Sequence, residues 1–496
     1  MENDFFEKHS SRILWIVMIL AVAVRLYYFF LTKNQALWWD EAEYLVVSKI
    51  WAGLIPDVGW FGGRPLLLPF IGFIFYKLGL NGELAVRLIE LILSVVGIYL
   101  IYAIGKSLYN KKIGLIASFI GSFFYLDLFF SNKIMVDIPS SVLGFLGFYL
   151  ILRGYLYGKN NFYLILGSVS LMFSVLMKYT AVLFIISTGI TALLIKGKGL
   201  FKEKRTWIAT GIGILTLLPF LIYGLLNQRI LKGIFEAGSS AASLPLNEKI
   251  GLFFTYITFM PIYLKITFLI LFLIGLITML NIFLGLDLIV KGKDKKLQHD
   301  FIILIFIILP LIYFGFFVNH FEDRYIIYSF TPIFIVAAIG LVKLEEYFKK
   351  YFEPAARYVY IILILVLLLG SYQQLIHTDS LIKSKMAAFQ PQRSAGEWLK
   401  ENTEKGDIIF ASEDPQFTYY AEVDVLGFPA TIERFHEQVK ETNAKFMVVS
   451  IYENPPQWIY TYAQEYQDNV EGRIVFSIGN QPAIVIYEIK NYSKDY

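Results

Sequence analysis

The chain has 496 residues, of which 57% are hydrophobic, 17% aromatic and only 17% charged. A soluble protein of this length carries nearer a quarter charged residues, so a purely soluble chain is excluded. A net charge of +4 makes no case for nucleic acid, and the absence of cysteine excludes disulfides, thiolate catalysis and Cys-ligated metal or iron–sulfur sites.

The apolar residues come in runs near the twenty residues that cross a hydrocarbon core of about 30 Å as a helix. Lys8 and Arg12 precede the first run, Ile13 to Leu31. It is longer than the apolar core of a signal peptide and large residues close it, so it reads as a retained span. Further spans are predicted near 84–105, 113–131, 134–153, 161–177, 179–195, 207–226, 262–288, 301–318, 325–343 and 357–374, about eleven helices in all. A re-entrant or interfacial helix is placed at Pro65–Leu78. With the N-terminus cytoplasmic, the loops on that side collect most of the Lys and Arg, among them Lys111, Lys112, Lys202, Lys204, Arg205, Lys349 and Lys350. An odd number of spans then puts the C-terminus outside the cell membrane. The expected architecture is an all-α polytopic membrane domain over 1–374, with outer loops 32–83 and 227–261, followed by an extracytoplasmic α/β domain over 375–496. In that domain Ser394–Asn402 has helical spacing. Asp407–Ala411, Lys445–Ile451, Arg473–Ile478 and Ala483–Ile489 read as strands.

The candidate chemistry gathers on the outer loops. Trp38-Trp39-Asp40-Glu41-Ala42-Glu43-Tyr44 sets adjacent acids among aromatic rings. Rings pack on sugar faces, and a carboxylate takes the proton of an attacking hydroxyl. The same stretch also fits an aromatic belt with a helix-capping Asp. Arg64 stands on a Gly-flanked loop before Pro65 and suits forked recognition of phosphate, or an ordinary helix start. Asp137 opens the fourth span and Asp127 ends the third; acids at such depth face a protein interior or a wet cavity. Lys178 is a lone cation in an apolar stretch, read as a phosphate ligand or as a snorkelling side chain. Arg324 follows His320 and Glu322 and precedes Tyr325 in a tight polar loop. Arg25 lies inside the first span, towards its outer end, and reads equally as a snorkelling side chain or as a functional cation. Asp40, Glu41, Asp137, Arg64, Lys178 and Arg324 all fall at one face, and none at mid-span, where an ion pathway needs them.

Taken in order, WWDEAEY, GRPLLLP, MVDIP, LMKYTAVL and EDRYIIYSFTP resemble the GT-C glycosyltransferases that use polyprenyl-phosphate sugars, in the branch of the protein O-mannosyltransferases and the aminoarabinose transferase of lipid A. The resemblance covers about residues 12–345. It departs at the single proline followed by Leu in GRPLLLP, and in a C-terminal domain unlike that of eukaryotic O-mannosyltransferases. Trp38-Trp39-Asp40 also echoes a motif of oligosaccharyltransferases, but without the Tyr-Gly that continues it there, and this is read as coincidence.

The resemblance implies a multi-pass enzyme moving a sugar, with mannose one candidate, from a polyprenyl- or dolichyl-phosphate donor to a hydroxyl acceptor outside the cytoplasm. Asp40 resembles the catalytic base, Glu41 its companion and Asp137 a second acid. Arg64, Lys178 and Arg324 resemble the cations that hold the lipid phosphate. Tyr44, His320, Glu322, Tyr325 and Arg25 are further cavity candidates. No cofactor is required, and a divalent metal near Asp137, Glu322 or His320 is allowed. The partners are then the bilayer, the lipid-linked donor and an acceptor that is a lipid-linked glycan, a glycolipid or a protein. A flippase using the same cations without catalysis, and a receptor acting through the C-terminal domain, are the competing classes.

Overall fold

The computed structural model describes residues 2–57, 64–156, 158, 160–226, 244–285, 288–289, 294–352, 358–412, 414–453 and 455–490. Among them, nine helices are long and apolar enough to cross a membrane. The chain is a multi-pass membrane protein with a small C-terminal sheet. It divides into two compact units. One takes Met1–Leu31, Phe61–Leu67 and Arg87–Lys383; the other takes Thr32–Trp60, Leu68–Val86 and Ser384–Tyr496.

In chain order the helices are α1 (Glu2–Thr32), α2 (Trp39–Ala52), α3 (Leu67–Lys77), α4 (Gly82–Leu108), α5 (Lys111–Ser122), α6 (Tyr125–Phe130), α7 (Asp137–Leu156), α8 (Asn161–Met177), α9 (Val182–Lys196), α10 (Lys204–Leu215) and α11 (Leu218–Leu226). After residues 227–243, which lie outside the described part together with the glycine- and serine-rich stretch of the expected loop 227–261, come α12 (Leu246–Thr258), α13 (Met260–Thr278), α14 (Lys295–Phe316), α15 (Ile327–Tyr351) and α16 (Val359–Lys385). The expected span 113–131 is not continuous: it breaks at Phe123-Phe124 into α5 and α6. Asn161–Met177 is helical but short, and the expected 262–288 ends its α-helix at Thr278. The last span runs on to Lys385, past the expected end at 374.

α15 lies at the centre of the helical unit, with 83% of its apolar window enclosed. Small residues let it approach α13. A Cβ on Gly340 would overlap the carbonyl oxygen of Leu271, and one on Gly275 that of Val336. In lipid, where apolar burial between helices gains little, such close backbone contact supplies the packing.

Two helix breaks in this unit are mended from one place. α13 breaks at Lys265, whose φ of 54° and ψ of 167° are not helical. Backbone groups freed in a membrane must find partners within the protein. Gln374 of α16 accepts a hydrogen bond from the Tyr125 N–H (3.1 Å) at the α5–α6 break and donates to the Tyr263 carbonyl (2.9 Å). Its neighbour Gln373 accepts from the Thr267 N–H at 3.3 Å. A Gln-Gln pair inside an apolar span therefore has a structural reason.

The other unit holds a five-stranded sheet in the order β2-β1-β3-β5-β4. Its strands are β1 (Ile408–Phe410), β2 (Asp424–Leu426), β3 (Phe446–Ser450), β4 (Val470–Ile478) and β5 (Gln481–Ile489). β1 pairs in parallel with β2 and β3, whereas β5 pairs antiparallel with β3 and β4. Alternation sends Ile409 and Val448 to one core, with Leu399 and Phe417, and Phe410 and Met447 to the other, with Phe435 and Tyr462. The helices of the domain are α17 (Gln390–Asn402), α18 (Asp414–Ala421), α19 (Ile432–Thr442) and α20 (Trp458–Glu465).

The same unit includes α2. Its Lys49 ammonium donates to the Tyr419 carbonyl (2.9 Å) and to Glu422 Oε1 (2.8 Å). Just before α2, the Leu37 N–H donates to the Tyr420 hydroxyl (2.8 Å) and the Leu37 carbonyl accepts from Gln416 (2.9 Å). The first loop after α1 is thus hydrogen-bonded to α18 of the α/β domain.

Candidate active site

Within the α/β unit, Asp40 and Glu41 lie in the first turn of α2. Glu41 is fully buried, and its Oε2 accepts from the Trp38 N–H at 2.8 Å, so its carboxylate closes the start of the helix. Asp40 is half-buried at the same helix terminus, where aligned peptide dipoles favour an anion. Tyr44 is buried on the packed face of α2. The capping role expected of an acid in this stretch therefore falls to Glu41, with half-buried Asp40 beside it.

Within the helical unit, three sequence-distant segments bring candidate residues together at the end where α7 begins and α8 stops. Asp137 at the start of α7 is buried, and its Oδ1 receives Lys178 Nζ at 2.5 Å. Its Oδ2 is buried with no hydrogen-bond partner among the described residues. The Lys178 ammonium also lies 4.5 Å from the ring centre of Tyr325 and 5.8 Å from that of Tyr328. The Tyr328 hydroxyl joins Ser140 (2.9 Å) and Thr180 (3.3 Å), tying α7 and α15 to the turn after α8. Arg324 reaches Met135 Sδ at 3.2 Å and Glu322 at 3.6 Å. Exposed His320 meets the Tyr325 hydroxyl at 2.9 Å. Arg64, on the segment leading into α3, is half-buried.

Arg25 does not snorkel. It is fully buried and forms an ion pair with Asp127, and it donates to Ser94 Oγ (2.6 Å) and to the Ala21 and Ser122 carbonyls (3.1 Å each). Ser94 in turn donates to the same Asp127 oxygen at 2.6 Å. This arrangement joins α1, α4, α5 and α6, and it pairs Arg25 with Asp127.

Several polar residues at the Asp137 end lie outside the candidates drawn from the sequence. Asp323 accepts from the Tyr263 hydroxyl at 2.9 Å. Lys265, at the break in α13, lies 5.1 Å from the Tyr125 ring, and His377 meets that ring edge-on at 4.5 Å. A lysine with positive φ in a membrane helix is strained, and such strain gathers at functional positions. Arg87 and Glu90 of α4 and Lys133 are also buried. Lys265, Arg87 and Glu90, charges inside predicted apolar spans, could have been noticed from the sequence. Among the described residues no three His, Asp or Glu side chains converge as metal ligands.

Residues 63–223 match the family model described as dolichyl-phosphate-mannose-protein mannosyltransferase. No curated protein matches the sequence. ArnT from Cupriavidus metallidurans, solved bound to undecaprenyl phosphate, superposes with a TM-score of 0.62 at 12% identity, over 95% of this chain and 98% of that one. The oligosaccharyltransferase AglB from Archaeoglobus fulgidus, in complex with an inhibitory peptide and a dolichol-phosphate, gives 0.62 at 13% identity, over 99% and 75%. The chain has the GT-C fold. The mycobacterial arabinofuranosyltransferase AftD shares it at a TM-score of 0.57 and 11% identity, over 96% of this chain and 42% of that one. On this GT-C chain the family match takes in Arg64, Asp137 and Lys178 and stops before Arg324.

Proposed function

We propose that this GT-C protein is a glycosyltransferase that takes its sugar, with mannose the first candidate, from a polyprenyl-phosphate donor and passes it to a hydroxyl acceptor on the non-cytoplasmic face. The observation that carries the reading is the meeting of Asp137, Lys178 and the Arg324–Tyr325 loop at one end of the helical unit. The family match over 63–223 and the bias of Lys and Arg towards the opposite loops support it. Asp40 takes the acceptor hydroxyl proton as the oxygen attacks the anomeric carbon. The bond from that carbon to the phosphate oxygen breaks, and the configuration inverts. Lys178, Arg324 and Arg64 hold the departing lipid phosphate, whose negative charge grows as the bond opens. The phosphate has to share Lys178 with Asp137, so Asp137 sets how much of that cation the donor receives.

The test is Asp40→Asn in membranes given labelled polyprenyl-phosphate mannose. A loss of at least about 100-fold in transfer is expected for removal of a general base. Undiminished transfer at normal expression removes the base assignment. Movement of unreacted donor across the bilayer by the Asn variant supports the flippase alternative instead.

A further inference from the structure

At the opposite end of the helical unit from Asp137, α1 and α16 stand apart over a cavity of about 740 Å³. Its walls are apolar: Ile13, Ile16 and Val17 of α1, Leu115 of α5, and Leu363 and Leu367 of α16. The two flanking helices are the least enclosed of the long spans apart from Lys204–Leu226, each with 28% of its apolar window buried, so the cavity opens sideways to the hydrocarbon. Its α1 wall from Ile13 to Leu20 is about 10 Å long and its α16 wall from Tyr360 to Leu368 about 12 Å, at 1.5 Å per residue. That is close to one leaflet, about half of a 30 Å core.

The end of the cavity near the membrane surface is basic and aromatic. Glu345 serves two lysines, Lys112 Nζ at 2.5 Å and Lys349 Nζ at 2.8 Å. Lys349 also donates to the Tyr360 hydroxyl at 3.1 Å. Lys112 lies 5.0 Å from the Phe6 ring centre and 5.7 Å from that of Tyr360. Lys8 and Arg12 stand exposed on the adjoining turns of α1. A leaflet-deep apolar slot beneath a lysine pair suits a lipid with acyl chains below and a phosphate-bearing anionic head above.

We propose that this cavity is a binding site for an anionic glycerophospholipid of the leaflet at that end. An acyl chain lies between α1 and α16, and the head-group phosphate lies over Lys112 and Lys349. The site is separate from the Asp137–Lys178 cluster and does not depend on the transferase reading.

The experiment uses the full chain reconstituted in mixed phosphatidylcholine–phosphatidylglycerol nanodiscs, extracted in mild detergent and weighed by native mass spectrometry. Wild type is expected to retain phosphatidylglycerol in preference to phosphatidylcholine. Ile16→Trp fills the slot from its lipid-facing side, and Lys349→Gln leaves Lys112 with Glu345 so that the fold persists. Each should lower retention about tenfold, equivalent to about 1.4 kcal/mol. Equal retention by both variants, no preference for phosphatidylglycerol, or a retained mass that is a polyprenyl phosphate overturns the proposal.

Discussion

Replacing Lys178 by Met removes the one cation that meets Asp137 at ion-pair distance among the described residues. The Asp137 side chain is only 1% exposed and the Lys178 ammonium lies 2.5 Å from its Oδ1. Breaking a buried pair by removing one partner costs about 3–5 kcal/mol, because a carboxylate is left uncompensated. At about 1.4 kcal/mol per decade, the folded-to-unfolded ratio falls by roughly two to nearly four powers of ten. Removing both charges, with Lys178→Met and Asp137→Asn together, leaves no stranded ion. The double variant should recover most of the loss. Thermal unfolding in detergent micelles, followed by tryptophan fluorescence, measures all four corners of the cycle. A Lys178→Met protein as stable as wild type, or a double variant whose loss is the sum of the singles, refutes the reasoning. The same set separates stability from donor binding. Asp137→Asn alone frees Lys178 for the phosphate and should lower the donor KM even where kcat falls.

The remaining expectations follow from packing, helix breaks and one shifted acid. Gly340→Ala drives a methyl into the Leu271 carbonyl and should cost about 1–3 kcal/mol, read as a lower unfolding temperature, whereas Gly251→Ala, where a Cβ meets nothing within 4 Å, should leave stability near wild type. Gln374→Leu strands the Tyr125 N–H and the Tyr263 carbonyl, at about 1–3 kcal/mol for each buried group. Its unfolding temperature should fall further than that of the exposed, apolar Leu369→Val control. In the α/β unit, burial pushes the Asp414 carboxyl up from 3.8 to about 7, against its own backbone hydrogen bond and with help from Asp424. The folded state therefore holds a proton that the unfolded chain releases above about pH 4. This contribution is fully present below pH 4 and is lost as pH rises to 7. Asp414→Asn should flatten that slope by about 1–4 kcal/mol between pH 4 and 8, and an unchanged slope in a pH series of unfolding curves would contradict it.

Hydropathy placed most of the long membrane helices, about eleven expected against nine long apolar ones among the described residues, because a bilayer imposes both length and composition on anything that spans it. The ordered motifs around Asp40, Arg64, Asp137, Lys178 and Arg324 were likewise readable, since each sets a charge against an apolar background. Partnership was not. Nothing local tells that Arg25 and Asp127, 102 residues apart, neutralise each other, or that Lys178 is held by Asp137. Nor does any pattern foretell that Glu41 closes its own helix while Asp40 beside it stays half-buried. The breaks at Phe123-Phe124 and Lys265 carry no proline; they exist because Gln373 and Gln374 from another helix satisfy the backbone they expose. The attachment of the first loop to α18 through Lys49, Leu37 and Gln416 is of the same kind. Composition and period act along the chain, whereas hydrogen bonds and ion pairs between distant segments form only once those segments have met, and tertiary structure alone decides which ones do.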